Sequence, residues 1–118
     1  MRKVAIVVLA DTTPADGLGR IVNALMAAKE FKERKDDVKL IFSGAGTKWL
    51  AEISNPKHQL HPVYKDVKSQ IAGACGFCAT AFGVTDTAKA CGIGLLEEYG
   101  TNMSFHKLLD DGYQVITF

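Results

Sequence analysis

An unbroken apolar run near the amino terminus, residues 4–9 with the sequence VAIVVL, most constrains what this chain can fold into. The run is rich in β-branched side chains and does not alternate with polar residues, which is typical of a strand buried on both faces of a parallel sheet. Apolar residues then recur at spacings of three and four up to about residue 35, which predicts an amphipathic helix. A buried strand followed by such a helix is the repeating unit of α/β folds.

The start of this first helix carries its own signal. Thr13 offers a hydroxyl cap, Pro14 suits the first helical position, and Asp16 places a carboxylate three residues after the cap. We therefore expect the helix to begin directly after Thr13.

The rest of the chain continues the alternation of strands and helices. Apolar patterning predicts further strands at residues 38–42, 71–75, 93–96 and 113–118, separated by helices around residues 49–53, 58–70, 78–82, 85–90 and 104–110. This order predicts a three-layer α/β/α fold with a mostly parallel five-stranded sheet. A length of 118 residues suits a single domain that covers residues 1–118.

Charge and composition exclude several classes of partner. The 14 Lys and Arg residues nearly balance the 13 Asp and Glu residues, so the net charge of +1 gives no electrostatic case for nucleic acid or an acidic membrane. No apolar stretch approaches the roughly 20 residues of a membrane span, and the run at residues 4–9 is too short for an export signal. The three cysteines, an odd number, fit a reducing compartment. We expect a soluble cytoplasmic protein.

The densest group of reactive residues lies where the third predicted strand ends. In parallel sheets, ligands gather beyond the carboxyl ends of the strands, here the loops at residues 11–17, 43–47 and 73–78. The last of these loops holds Cys75 and Cys78, flanked by Gly73 and Gly76. A cysteine at a helix start faces unpaired backbone N–H groups, so we expect a lowered pKa and a thiolate at Cys78. The glycines leave room for a sulfur donor or a partner's loop to approach.

The cysteine pair could serve several reactive roles, or it could be purely structural. The two thiols could be small core side chains, a dithiol redox site, or one persulfide-forming cysteine with a neighbouring thiol that resolves it. A zinc site would need four ligands, which Cys75, Cys78, Cys91 and either His58 or His61 could supply, although their order matches no usual zinc pattern. Taken alone, Cys91 and the histidines are more typical of packing and surface positions.

Other polar and aromatic residues have two interpretations each. Asp11 either lines the cysteine pocket or caps the turn that follows it. An anion could be cradled by Thr12, Thr13, Ser43, Gly44 and Gly46, but no dinucleotide or phosphate-loop motif is present. The larger aromatic side chains serve either as core or as subunit contacts; they are Trp49, Phe77, Phe82 and Tyr99.

Short motifs along nearly the whole chain resemble the DsrE/DsrF-like family. They are the first strand with its Pro-containing loop, ALMAAK at residues 24–29, the strand and turn at 38–46, CATAFGV at 78–84, and the ending at 108–118. The resemblance implies a compact three-layer fold, association as trimers or hexamers, and sulfur bound to one cysteine at a helix start after the third strand. That cysteine matches Cys78. Cys75 departs from the pattern, since such subunits commonly have one cysteine there.

The function that the resemblance implies is that of a small cytoplasmic sulfur carrier. Cys78 would accept sulfane sulfur as a persulfide from a donor protein and pass it to an acceptor protein, with Cys75 as the second site residue and with no cofactor. Such a carrier is at most a sulfurtransferase without classical turnover, and a homo-oligomer is expected. The alternative is a noncatalytic ligand-binding or assembly module of the same fold, in which Cys75 and Cys78 form a redox-sensing pair.

Overall fold

The computed structural model describes residues 1–118, and it contains five strands and six α-helices. The strands are β1 (Lys3–Val8), β2 (Asp37–Phe42), β3 (Ile71–Cys75), β4 (Leu95–Leu96) and β5 (Gln114–Thr117). The helices are α1 (Asp16–Glu33), α2 (Trp49–Ile53), α3 (His61–Val67), α4 (Gly76–Ala81), α5 (Thr85–Ala90) and α6 (Phe105–Asp110). Two short 3₁₀ segments, Gly44–Lys48 and Lys68–Gln70, precede α2 and follow α3. None of the helices is long and apolar enough to cross a membrane.

The five strands form one sheet in the order β4-β3-β2-β1-β5, and every neighbouring pair is parallel. Val4 of β1 pairs with Val38 on one side and with Gln114 on the other. The expected α/β fold with a five-stranded sheet is therefore confirmed, and the sheet is entirely parallel. Because all strands point the same way, their carboxyl ends lie along one edge, which we call the carboxyl edge.

The first strand is buried on both faces, as its apolar run predicts. Its alternate residues divide between two cores, with Val4, Ile6 and Val8 in one and Ala5 and Val7 in the other. All five are at most 1% exposed. Successive side chains of a strand point to opposite faces, so the two cores mark the two faces of the sheet.

The two faces are covered unequally. The first core holds 18 buried residues and draws on α1, α2, α3 and α5. The second holds 7 buried residues, of which only Leu108 belongs to a helix, α6. Cys75 and Met103 belong to this smaller core, and Cys78 packs against it. Cys91 packs against the larger core. The cysteines at residues 75 and 91 therefore serve opposite faces of the sheet.

Helix boundaries differ from expectation at three places. The helix predicted at residues 78–82 is α4, which begins two residues earlier, at Gly76. The first helix begins at Asp16, two residues later than predicted, so its N-cap residue is Ala15 and not Thr13. The Thr13 hydroxyl nevertheless accepts a hydrogen bond from the N–H of Gly17, in the first turn, at 2.7 Å. The helix predicted at residues 58–70 is α-helical only over α3. Its expected first turn is held in a different conformation, because the His58 ring accepts a hydrogen bond from the N–H of Leu60 at 3.0 Å. Side-chain hydrogen bonds of this kind compete with helix formation.

Candidate cysteine site

The site lies at the carboxyl edge, where β2 and β3 end side by side. Cys75 is the last residue of β3, and Cys78 is the third residue of α4, which begins at Gly76. Ser43 directly follows the neighbouring strand β2. Cys75 is 1% exposed, whereas Cys78 is partly exposed and both thiols are free. The structure therefore pairs one buried thiol with one that solvent reaches.

Cys75 is held by the loop that follows β4. Its sulfur accepts a hydrogen bond from the backbone N–H of Met103 at 3.5 Å, and it lies 3.7 Å from the Oδ1 atom of Asn102, to which the thiol donates. Neither loop residue was singled out from the sequence. The carboxyl-edge rule would have found them, since this loop also follows a parallel strand.

Gly76 allows the same loop to cross close to the cysteines. A Cβ atom at this position would lie 2.6 Å from Cγ of Glu97 and 3.0 Å from the carbonyl oxygen of Thr101. That carbonyl also accepts a hydrogen bond from the N–H of Phe77 at 2.7 Å. The space that the sequence analysis assigned to an approaching sulfur donor is thus filled by the protein's own loop. Gly76 serves packing within the chain, and any donor must approach from the side of Cys78.

Ser43, at the end of β2, contacts the thiol of Cys78. Its hydroxyl oxygen lies 3.8 Å from the sulfur of Cys78, and its side chain is 6% exposed. A buried hydroxyl this close to sulfur can donate its proton to a thiolate. Ser43 was predicted as part of an anion cradle, and the structure places it beside the cysteine pair.

The pKa of Cys75 is lowered despite burial. Burial alone would raise it, but the N–H groups of Met103 and Cys78, together with the side chains of Cys78 and Ser43, favour the thiolate and outweigh burial. Hydrogen bonds to the charged form are the usual way in which a buried group remains ionisable. Of the two thiols, the buried one is therefore the more readily ionised.

The pKa of Cys78 is raised, so the expectation of a lowered value there is wrong. Burial contributes most, and the neighbouring Cys75 adds to it because its sulfur accepts the Cys78 proton; the N–H of Gly44 and the Ser43 hydroxyl oppose both. The helix start alone would lower this pKa, but burial and the second sulfur raise it. Two thiols this close lose their protons in two coupled steps. After the first step, the two sulfurs share the proton that remains.

The residues considered for zinc are not brought together. Cys91 lies against the larger core, across the sheet from Cys75. His61 uses Nδ1 for a hydrogen bond with the carbonyl of Ile53 at 2.8 Å, and Nδ1 of His58 accepts from the N–H of Leu60. The structure contains no group of three or more His, Cys, Asp or Glu side chains able to hold a metal ion. A zinc site built from these ligands therefore has no geometric basis.

The remaining candidates separate into structural and exposed residues. Trp49 is core, at 3% exposure, and its indole N–H donates to the carbonyl of Ala10 at 3.0 Å. Asp11 forms an ion pair with Lys48 at 2.7 Å, which holds the pKa of its carboxyl below the usual range, and it accepts a hydrogen bond from the N–H of Thr12. It caps the turn as one interpretation predicted. The other three aromatic residues are exposed: Phe77 by 55%, Phe82 by 44% and Tyr99 by 78%.

With this fold and cysteine pair in place, comparison with known proteins decides the family. The profile of the DsrE/DsrF-like family matches residues 2–118. The chain belongs to the DsrE/DsrF-like family. The resemblance drawn from short sequence motifs is thereby confirmed over nearly the full length, and the family relationship covers both the cysteine pair and the loop that holds Cys75.

The chain is similar to one curated protein in sequence and to two solved structures in fold. The uncharacterized protein MJ0733 of Methanocaldococcus jannaschii is 30% identical over 96 residues, which are 81% of this chain and 78% of that protein. A conserved protein of unknown function, BT1422 of Bacteroides thetaiotaomicron, has the same fold with a TM-score of 0.67 and 22% identity, covering 97% of this chain and 94% of its own. The ychN protein of E. coli gives a TM-score of 0.64 at 17% identity and covers both chains completely.

Proposed function

We propose that this protein carries sulfane sulfur as a persulfide on Cys78. The observation that supports it most is the pairing of a partly exposed thiol with a buried, preferentially ionised sulfur at Cys75. Membership of the DsrE/DsrF-like family, whose fold is of the sulfur-relay type, is consistent with this role. We place the persulfide on Cys78 because a donor can reach its sulfur from solvent. Cys75 is 1% exposed and lies beneath the loop that follows β4.

Sulfur uptake begins with proton transfer inside the pair. The Cys75 thiolate takes the Cys78 proton, and the Cys78 thiolate attacks the outer sulfur of a donor persulfide, R–S–SH. The S–S bond of the donor breaks, its inner sulfur leaves as a thiolate, and that thiolate takes the proton back from Cys75. The products are R–SH and Cys78–S–SH, so no electrons are gained or lost and no cofactor takes part.

Ser43 and Gly44 stabilise the charge as it moves to Cys78. The hydroxyl of Ser43 lies 3.8 Å from this sulfur, and the Gly44 N–H favours its ionised form. Delivery reverses the uptake step, since a thiolate of the acceptor attacks the outer sulfur and Cys78 leaves. The exchange therefore depends on how closely donor and acceptor can approach Cys78.

Donor and acceptor are proteins in this proposal, and the carrier works as a homo-oligomer, a trimer or hexamer, in the cytoplasm. The exposed aromatic side chains Phe77 and Tyr99 support protein contacts near the site, because Phe77 adjoins Cys78 along the chain and Tyr99 lies in the loop after β4. Aromatic residues are enriched in protein interfaces. The whole chain acts as one domain in this view.

Intact-protein mass after incubation with polysulfide tests the proposal. Measured directly after a short incubation, the wild-type protein and Cys75→Ser should each gain about 32 Da, one sulfur atom, with slower uptake in the variant because it has lost the proton acceptor. Cys78→Ser should gain nothing, and Cys91→Ser, the matched control across the sheet, should load like the wild type. Retention of the added sulfur by Cys78→Ser contradicts the assignment. If no form takes up sulfur, the noncatalytic module with a redox-sensing pair becomes the better description.

A further inference from the structure

We propose that Cys75 discharges the Cys78 persulfide when no acceptor is bound, expelling hydrosulfide and closing a Cys75–Cys78 disulfide. This inference rests on the proposed function and concerns the regulation of the same site. It assigns the buried thiol a role in limiting how long sulfur stays on the carrier. It also explains why this chain has two cysteines at a position where one suffices for carrying sulfur.

The two sulfurs lie beside each other. Cys75 is the N-cap residue of α4 and Cys78 is the third residue of that helix, so the pair spans a single helical turn. The Cys78 thiol hydrogen-bonds to the Cys75 sulfur, which places the two sulfurs in contact. Positions three apart on a helix have Cβ atoms about 5–6 Å apart, and a disulfide requires about 3.5–4.5 Å, so closing the bridge tightens this turn. Both side chains also contact the same small core, so they lie on one face of the sheet.

The outward side of Cys75 is closed, which directs its sulfur toward Cys78. Met103 and Asn102 cover it from the loop after β4, through contacts of 3.5 Å and 3.7 Å to the sulfur. Its exposure of 1% prevents an external disulfide or persulfide from reaching it. The neighbouring sulfur of Cys78 is therefore the electrophile that Cys75 can reach without movement of the loop.

The discharge step balances without a further reagent. The Cys75 thiolate attacks the inner sulfur of Cys78–S–SH, which is the Cys78 Sγ atom. A bond forms between the two Sγ atoms, the bond to the outer sulfur breaks, and that sulfur leaves with the electron pair as HS⁻. The sulfane sulfur is thereby reduced to hydrosulfide, while the two cysteine thiols are oxidised to a disulfide.

The direction of the pKa shift at Cys75 supports this assignment. Its pKa is lowered by the N–H groups and side chains around it, which favours the thiolate form that attacks. A dithiol reductant restores the carrier by breaking the disulfide through thiol exchange. Until then the oxidised protein holds no free thiol at the site and accepts no sulfur.

The experiment follows sulfur and disulfide in the full chain after loading. Wild type, Cys75→Ser and the control Cys91→Ser are loaded with polysulfide, freed of excess reagent and incubated anaerobically without acceptor. Hydrosulfide is measured colorimetrically, retained sulfane sulfur by cyanolysis, and the disulfide by peptide mass mapping. The uptake by Cys75→Ser reports on the proposed function, and the subsequent discharge reports on this inference.

We expect wild type and Cys91→Ser to release one hydrosulfide for each Cys75–Cys78 disulfide formed, and dithiothreitol to restore uptake. Cys75→Ser should load but lose its sulfur at least roughly tenfold more slowly, because its resolving thiolate is gone. The inference is overturned if all three proteins retain their sulfane sulfur equally, or if hydrosulfide is released through a disulfide between two copies of the chain. Either result leaves the proposed sulfur carriage intact. Failure of every protein to load overturns both. Should Cys75→Ser not fold, the ratio of hydrosulfide to mapped disulfide in the wild type decides.

Discussion

The backbone N–H of Met103 donates a hydrogen bond to the Sγ atom of Cys75 across 3.5 Å, joining residues 28 positions apart in the chain. The contact ties the loop after β4 to the last residue of β3. It places a fixed N–H donor against a buried sulfur, where it favours the thiolate. The ionisation of the cysteine pair is therefore set by a loop as well as by the helix start.

The first prediction concerns which cysteine ionises first. In a Cys91→Ser background, thiolate absorbance near 240 nm should show one transition below pH 9 and a second above it. Cys75→Ser should lose the lower transition, since the Met103 N–H then has no thiol to act on, whereas Cys78→Ser should keep it. A lower transition that survives in Cys75→Ser and vanishes in Cys78→Ser contradicts the assignment of charge.

The second prediction concerns the Ser43 hydroxyl. Ser43→Ala removes a donor 3.8 Å from the Cys78 sulfur that favours the thiolate at both cysteines. A lost hydrogen bond of about 1 kcal/mol corresponds to a roughly fivefold slower sulfur uptake at neutral pH. Ser69→Ala, an exposed serine outside the site, is the control and should load like the wild type. Unchanged uptake in Ser43→Ala shows that the hydroxyl does not stabilise the charge.

The third prediction compares two glycines that differ in their surroundings. A Cβ atom at Gly46 would lie 2.1 Å from the carbonyl oxygen of Val8, whereas one at Gly19 in α1 would meet nothing within 4 Å. Gly46→Ala should lower the free energy of unfolding by about 3 kcal/mol or more, because backbone must move. Gly19→Ala should raise it by about 0.5–1 kcal/mol through helix propensity. Urea unfolding curves measure both, and equal midpoints contradict the close packing of the 3₁₀ segment on β1.

The fourth prediction concerns Tyr113 at the opposite end of the sheet. Its hydroxyl donates to Asp37 at 2.8 Å, and burial, followed by this carboxylate, raises its pKa to about 12. The unfolded state ionises near pH 10 and the folded state only near pH 12, so the stabilisation is complete below pH 10 and is lost as the pH rises between the two values.

Tyr113→Phe tests this dependence, since the ring remains in place beneath the ammonium groups of Lys3 and Lys39, at 4.6 Å and 4.8 Å. The variant should be less stable by about 1 kcal/mol at pH 8, and the difference should shrink as the pH rises above 10. Urea unfolding of both proteins from pH 8 to 11 measures it. A constant difference across this range is the contrary result.

Much of the architecture follows from local patterning. The run at residues 4–9 specifies a strand buried on both faces because every side chain in it is apolar, and the structure gives β1 with both faces covered. The alternation of strands and helices likewise predicts the parallel sheet, since parallel neighbours need a crossover between them. Helix limits were less well predicted, because Thr13 and His58 hydrogen-bond the backbone in ways that periodicity does not reveal.

The sequence by itself determined the α/β class, the parallel sheet, and the position of Cys75 and Cys78 at a strand end, because apolar periodicity and residue spacing are properties of neighbouring residues. Only the tertiary structure decided that Cys75 is the buried, more acidic thiol and that Gly76 accommodates the chain's own loop. The physical reason is distance along the chain: the N–H of Met103, 28 residues from Cys75, reaches its sulfur only in the folded chain, where β4 pairs with β3.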